Sequence, residues 1–285
     1  MNEMNYIVVA VLTLGGVALL AAVVLYIVSR RFAVKEDPRV KDVQECLPGA
    51  NCGGCGFAGC AALAEALVKG ADKGSLDGLR CPVGGDEAMG KISDVLGMAA
   101  QAAEPMVAVV RCNGSCDKRG KVAVYEGLHT CAAVNAAGAG ESGCGYGCLG
   151  CGDCADACQF GGIVINPATG LPEVDEQMCT GCGSCAKACP RHVIELRKKG
   201  PKGRRVYVCC VNQDRGPIAR KSCQAACIGC GKCEKVCPFG AITVENNLSY
   251  IDYNKCRMCT KCVAECPTGA IVKVNFPIKK KEAEA

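Results

Sequence analysis

Aromatic residues are scarce in this chain: no tryptophan, five phenylalanines and seven tyrosines in 285 residues, with only two histidines. A globular core of that size ordinarily draws on many more. No residue pattern supplies an activated nucleophile, an acid–base pair or an organic-cofactor pocket, so the chain itself is not expected to make or break bonds. The one GxGxxG, at Gly138, Gly140 and Gly143, runs into CGYGC instead of lying between a strand and a helix, which excludes a dinucleotide site. His129 and His192 stand among many cysteines and read as surface or structural residues, not ligands. What the chain has instead is 28 cysteines, close to one residue in ten. Domains short of core need staples, either disulfides or metal ligands, and compartment and spacing decide which.

Compartment is read from the N-terminus. Tyr6 to Val28 is an uncharged apolar run of 23 residues, long enough as a helix (about 34 Å) to cross the hydrocarbon of a bilayer. A secretory signal would carry positive charge before a shorter apolar stretch and a small-residue cleavage site after it. Here MNEMN precedes the run without Lys or Arg, while Arg30, Arg31 and Lys35 follow it. The positive-inside rule then places the N-terminus outside and the rest in the cytoplasm, as a single-pass protein of the inner membrane. Cytoplasmic thiols stay reduced, which favours metal sites over disulfides.

Spacing names the metal. Four segments read Cys-x2-Cys-x2-Cys-x3-Cys: Cys148, Cys151, Cys154, Cys158; Cys179, Cys182, Cys185, Cys189; Cys227, Cys230, Cys233, Cys237; and Cys256, Cys259, Cys262, Cys266. Pro190, Pro238 and Pro267 follow the last cysteine in three of them; Gln159 takes that place in the first. This is the bacterial ferredoxin run, whose fourth cysteine ligates the partner cluster. Zinc would use two Cys-x2–4-Cys pairs and waste the third cysteine. The segments between the paired runs read as strand, tight turn and returning strand, so two ferredoxin-like modules are expected. The expected sets are Cys148, Cys151, Cys154, Cys189; Cys179, Cys182, Cys185, Cys158; Cys227, Cys230, Cys233, Cys266; and Cys256, Cys259, Cys262, Cys237. Cys144 is near enough to replace one ligand of the first set.

A fifth motif, NCGGCGFAGC with a distant RCP, supplies Cys52, Cys55, Cys60 and Cys81. Its glycines let backbone amides approach a cluster, and a helix is expected to start at its last closely spaced cysteine, over Ala61 to Val68. Four thiols with no surplus suggest one self-contained [4Fe-4S] site, with Cys46 a lone buried thiol outside it.

The apolar helix, the NCGGCGFAGC motif with Cys81, and the paired ferredoxin runs together resemble the B subunit of the Rnf complex, in its long form with two ferredoxin modules. The resemblance covers nearly the whole chain. It implies an electron-transfer subunit of a membrane-bound, Na⁺- or H⁺-translocating ferredoxin:NAD oxidoreductase, with soluble ferredoxin as donor and other membrane subunits as partners. A related short-form system re-reduces a redox-sensing regulator, which is the alternative reading of function. A cluster-storage or structural protein without a redox partner is a third.

Eight cysteines remain. Cys112, Cys116, Cys131 and Cys144 make a complete set, read as a sixth cluster against the alternative of free thiols in strands. Cys209, Cys210 and Cys223 stay unassigned, although Cys144-x3-Cys148 matches Cys223-x3-Cys227, and VAVVRC and VYVCC precede the two modules alike. The run Arg197 to Arg205 reads as a solvated loop, with docking to acidic ferredoxin or lipid as the minority reading. Six clusters at about −2 each would bring the formal charge of +5 to about −7, so the basic pI does not point to nucleic acid. The apolar helix holds no ionisable residue and offers no ion path, while Gly15 and Gly16 suit close packing with another helix. The expected fold is α+β: an anchor over 1–30, a small [4Fe-4S] domain over 31–98, and strand-plus-ferredoxin modules over 99–200 and 201–285.

Overall fold

The computed structural model describes residues 3–31, 37–98, 104–138 and 140–277. Lys35 and residues 99–103 of the expected linker, Ala99 to Pro105, lie outside the described residues. The first helix, α1 (Glu3–Arg31), carries Arg30 and Arg31 in its last turn. Its segment Val11–Arg31 has mean hydropathy 2.6, and none of that apolar stretch is buried within the chain. Among the described residues it is the one helix long and apolar enough to cross a membrane. A Cβ at Gly15 or Gly16 would meet nothing within 4 Å, which leaves that face flat.

Three helices follow: α2 (Pro38–Cys46), α3 (Cys60–Asp72) and α4 (Gly85–Leu96). Asp37 starts α2 by accepting the Arg39 N–H, with Pro38 in the first turn where its missing donor costs nothing. On α3, Leu63, Ala64, Leu67 and Val68 recur at helical spacing and are all buried. They close with Val43 and Ile92 into one core, where each large aliphatic contributes about 1.5–3 kcal/mol. That core is the rigid base for the cysteine loop between α2 and α3.

The remainder is one design used twice. The first module runs β1 (Met106–Val110), α5 (Cys131–Ala137), α6 (Asp153–Asp156), β2 (Ile163–Asn166), β3 (Leu171–Val174), α7 (Ser184–Ala188) and β4 (Ile194–Lys198). The second runs β5 (Arg205–Val208), α8 (Gly216–Ser222), α9 (Lys232–Lys235), β6 (Ile242–Glu245), β7 (Leu248–Ile251), α10 (Lys261–Glu265) and β8 (Ile271–Val274). β2–β3 and β6–β7 are antiparallel hairpins; Asn246 and Asn247 form the second turn with both φ positive, as a two-residue hairpin loop requires. The strand that opens each module pairs antiparallel with the strand that ends it, Val110 opposite Ile194 and Val208 opposite Ile271.

Strand alternation joins the modules. Ala108 packs into the first module's core and Val206 and Val208 into the second's. Their sequence neighbours Val107, Val109, Tyr207 and Cys209 point the other way and form one shared apolar layer. The basic run departs from the solvated loop expected of it. Arg197 is only 1% exposed, paired with Glu195 and lying 5.6, 5.2 and 5.8 Å from the ring centres of Tyr207, Tyr250 and Tyr253. Arg205 is buried against Glu176. Both belong to strands, and a guanidinium is the cation most easily buried when a carboxylate and π-faces replace its water. The loop proper is exposed only over 200–202.

Candidate metal centres

In all four Cys-x2-Cys-x2-Cys-x3-Cys runs the third cysteine sits in a single helical turn and is buried: Cys154, Cys185, Cys233 and Cys262. The chain enters that turn through a left-handed residue, Gly152 (φ 99°), Gly183 (81°), Gly231 (72°) and Thr260 (61°). Glycine takes this conformation freely, whereas Thr260 gives up about 1–2 kcal/mol to hold it.

The sulfurs then gather around small, partly open spaces. Cys158 lines one of about 340 Å³ with Cys179, Cys182 and Cys185. Cys237 lines one of about 320 Å³ with Cys256, Cys259 and Cys262. In both modules the last cysteine of the first run thus reaches the triplet of the second. Cys189 makes the return crossing, joining Cys148 and Cys154 around about 360 Å³. Cys227, Cys233 and Cys262 share one buried cluster, with Cys237, Cys256 and Cys266 packed against it.

The donor set fits four-iron clusters. Thiols ring spaces of nearly constant size, and among the described residues no three His, Cys, Asp or Glu converge closely enough to hold a single ion. Burial, with neighbouring thiolates adding to it, pushes the Cys148, Cys185 and Cys262 thiols up to about 12. Near neutral pH such thiols keep their protons until a metal displaces them. At Cys182 burial also acts upward, yet hydrogen bonds from the Ser184 hydroxyl and N–H outweigh it and lower the value.

Cys131, read from the sequence as a ligand of the sixth set, lies instead beside the first run. It joins Cys148, Cys154 and Cys189 around their space and hydrogen-bonds to Cys151. Asp153, within the first run, draws it there: its carboxylate accepts the Cys131 N–H at 2.7 Å and the Ala132 N–H at 3.1 Å. An acidic residue inside the run, able to cap a nearby helix, was the available signal. The surplus thiol beside the first set is therefore Cys131 and not Cys144. Gln159, in the place of proline, is exposed.

The grouping of Cys112, Cys116, Cys131 and Cys144 is divided by the structure. Cys112 and Cys144 line a space between the modules, Cys131 belongs with the first run, and Cys116 is exposed with its sulfur toward Gly170. Sequence proximity had joined residues that the fold sends to three places.

In the N-terminal domain Cys60 and Cys81 are buried and Cys52 and Cys55 half-buried. The Cys60 N–H donates to Asn51 Oδ1 at 2.8 Å, starting α3 at the cysteine, and the Gly84 N–H donates to Cys81 Sγ at 3.3 Å. Burial raises the Cys81 thiol, and charge on the neighbouring Cys60 and Cys52 adds to it. Cys46 ends α2 half-buried, not fully buried as expected, because only part of it reaches the domain core. The cysteine loop rests on the first module: Lys187 Nζ donates to Gly53 O at 3.1 Å, and Gly54 abuts Cys182. His129 and His192 are exposed, and no helix follows Gly143 within the glycine run.

The Fe-S cluster family matches residues 47–75, and the 4Fe-4S dicluster domain matches residues 147–193, 178–241 and 226–270. The B subunit of the Na(+)-translocating ferredoxin:NAD(+) oxidoreductase complex of Acetobacterium woodii is 46% identical over 254 residues, 89% of this chain and 74% of the relative. Its counterpart in the proton-translocating ferredoxin:NAD(+) oxidoreductase complex of Clostridium ljungdahlii is 44% identical over 89% of this chain and 87% of its own length. The B subunit of the ion-translocating oxidoreductase complex of Methanosarcina acetivorans is 41% identical over 87% of this chain and 90% of its own length. With both cluster domains in place, and likeness of that depth over nearly the whole length, the chain belongs to the family of B subunits of the ion-translocating oxidoreductase complexes.

Proposed function

We propose that this chain accepts electrons from reduced soluble ferredoxin and delivers them to membrane partner subunits of an ion-translocating ferredoxin:NAD oxidoreductase complex. The observation that carries the reading is the exchange of fourth cysteines, Cys158 and Cys189 in the first module and Cys237 in the second. Five [4Fe-4S] sites are held by Cys52, Cys55, Cys60, Cys81; Cys148, Cys151, Cys154, Cys189; Cys158, Cys179, Cys182, Cys185; Cys227, Cys230, Cys233, Cys266; and Cys237, Cys256, Cys259, Cys262. When bound, such clusters take up and release single electrons. The polypeptide holds them at fixed separations, buries the third cysteine of each ferredoxin run and leaves Cys230 and Cys259 exposed, and directs N–H donors at sulfurs such as Cys81 and Cys256. The division near residues 31, 99 and 201 separates anchor, membrane-side domain and the two modules.

Anaerobically purified protein is expected to contain at least about 20 irons per chain and to bleach when mixed with reduced ferredoxin in a stopped-flow instrument. Stoichiometric zinc with little iron, or no bleaching by ferredoxin, rejects the reading. Arg30 and Arg31 at the end of α1 support a cytoplasmic placement of everything beyond them, in the inner membrane. Protease applied to the cytoplasmic face should therefore digest the cluster domains; protection there with digestion from outside would reverse the topology.

A further inference from the structure

Four cysteines beyond these five sites form a symmetric cradle where the two modules meet. The backbone fixes their equivalence. The Arg111 N–H donates to Val193 O at 2.6 Å, and the Cys209 N–H to Ala270 O at 2.7 Å, in the corresponding ladders. Arg111 thus corresponds to Cys209, and Cys112 to Cys210. The shared x3 spacing pairs Cys144 with Cys223 in the same way. Each module contributes one cysteine just past its first strand and one just ahead of its first ferredoxin run.

These four, together with Cys209, border a common space of about 370 Å³, close in size to the cysteine-lined spaces inside the modules. Two glycines give the sulfurs room. A Cβ on Gly114 would lie 3.2 Å from Cys223 Sγ and 3.7 Å from Cys112 Sγ. One on Gly147 would lie 3.3 Å from Cys144 Sγ and 3.6 Å from Cys112 Sγ. The surrounding donors treat the sulfurs as acceptors. Gly147 N–H reaches Cys144 Sγ at 3.3 Å, Cys148 N–H reaches Cys112 Sγ at 3.4 Å, and Asn212 N–H reaches Cys210 Sγ at 3.5 Å. The Asn212 side chain, 1% exposed, sends its Nδ2 across the interface to Cys144 Sγ at 3.4 Å. N–H groups aimed at buried sulfur are the surroundings of ligating thiolates. Cys209 differs: its thiol donates to Val110 O at 3.3 Å, which turns it toward β1 as a donor.

We propose that Cys112, Cys144, Cys210 and Cys223 hold a further [4Fe-4S] cluster between the two modules, with Cys209 outside the ligand set. The proposal rests on the cluster-carrier reading above and adds a site that no single module contains. Iron, acid-labile sulfide and zinc are measured in the anaerobically purified full-length protein, beside EPR spin counts after dithionite reduction. Wild-type protein is expected to hold about 24 irons, four for each of six sites. Cys210→Ala and Cys144→Ala should each lose about four irons and one cluster's worth of spin, while Cys209→Ala keeps the wild-type content. Wild-type protein holding about 20 irons, with or without one zinc, overturns the sixth site and leaves the five-site reading standing. Wild-type protein with little or no iron overturns both readings. Loss of iron by Cys209→Ala with none by Cys210→Ala overturns the ligand choice. The wild-type count decides the existence of the site whether or not any variant folds.

Discussion

Replacing Cys55 with alanine is expected to leave the two ferredoxin modules reducible by ferredoxin while ferredoxin-dependent NAD reduction in membranes falls by about 100-fold or more, since even outer-shell changes at metal sites cost about 10–100-fold. Cys55 is one of the four proposed ligands of its domain and packs against the buried core that also holds Cys60 and Cys81. Only residues 32–37 separate α1 from α2, a reach of about 20 Å at full extension. With α1 in a bilayer, as proposed, that reach would keep this domain nearer the membrane than the modules that follow it in the chain. On the proposed function a soluble donor is expected to meet the modules, and a membrane partner the domain of Cys52, Cys55, Cys60 and Cys81. Stopped-flow bleaching of the variant should retain the phases assigned to the modules, beside a lost steady-state rate. Cys46→Ala, in the same domain but outside the ligand set, serves as the comparison and should behave as wild type. A Cys55→Ala variant that reduces NAD at the wild-type rate would show that electrons leave the chain elsewhere.

Strongly periodic features were legible in the sequence. Four identical cysteine runs, the hairpins between them and the opening strands VAVVRC and VYVCC all appear where the spacing places them, as does a helix beginning at Cys60. The nearness of Cys158 and Cys237 to the cysteines of the following runs could be anticipated because it follows from geometry internal to one module. What was hidden depends on contacts between modules. Cys112 and Cys223 stand more than a hundred positions apart, and only the facing of two modules brings them to one space, so grouping by proximity drew in Cys116 and Cys131 instead. The match between Cys144-x3-Cys148 and Cys223-x3-Cys227 already pointed to symmetry, but the register that equates Cys112 with Cys210 exists only in the paired strands. Arg197 is hidden for a related reason: six of the nine residues in its run are basic, and nothing local marks the three tyrosines around it.

Gly54→Ala should uncouple the N-terminal site from the first module without emptying either. A Cβ at Gly54 would fall 2.7 Å from Cys182 O, 2.8 Å from Cys182 Cβ and 3.0 Å from Cys182 Cα. Two of those three atoms are backbone, held by a run that buries Cys185 one turn later, so the neighbour cannot rotate aside as a long side chain would. The loop must lift, and the Lys187 contact to Gly53 O goes with it. No ligand is changed, so iron content should equal wild type. The separation between the Cys52, Cys55, Cys60, Cys81 site and the Cys158, Cys179, Cys182, Cys185 site grows, and electron transfer falls steeply with distance. NAD reduction in membranes should drop by about 10- to 100-fold, as misplacement by an ångström costs elsewhere, with ferredoxin bleaching of the modules unaltered. Gly90→Ala is the matched control: it lies in α4 of the same domain, a Cβ there meets nothing within 4 Å, and alanine is the better helix former. If Gly54→Ala keeps both its iron and its full NAD reduction rate, the contact at Cys182 is not the path between the domains.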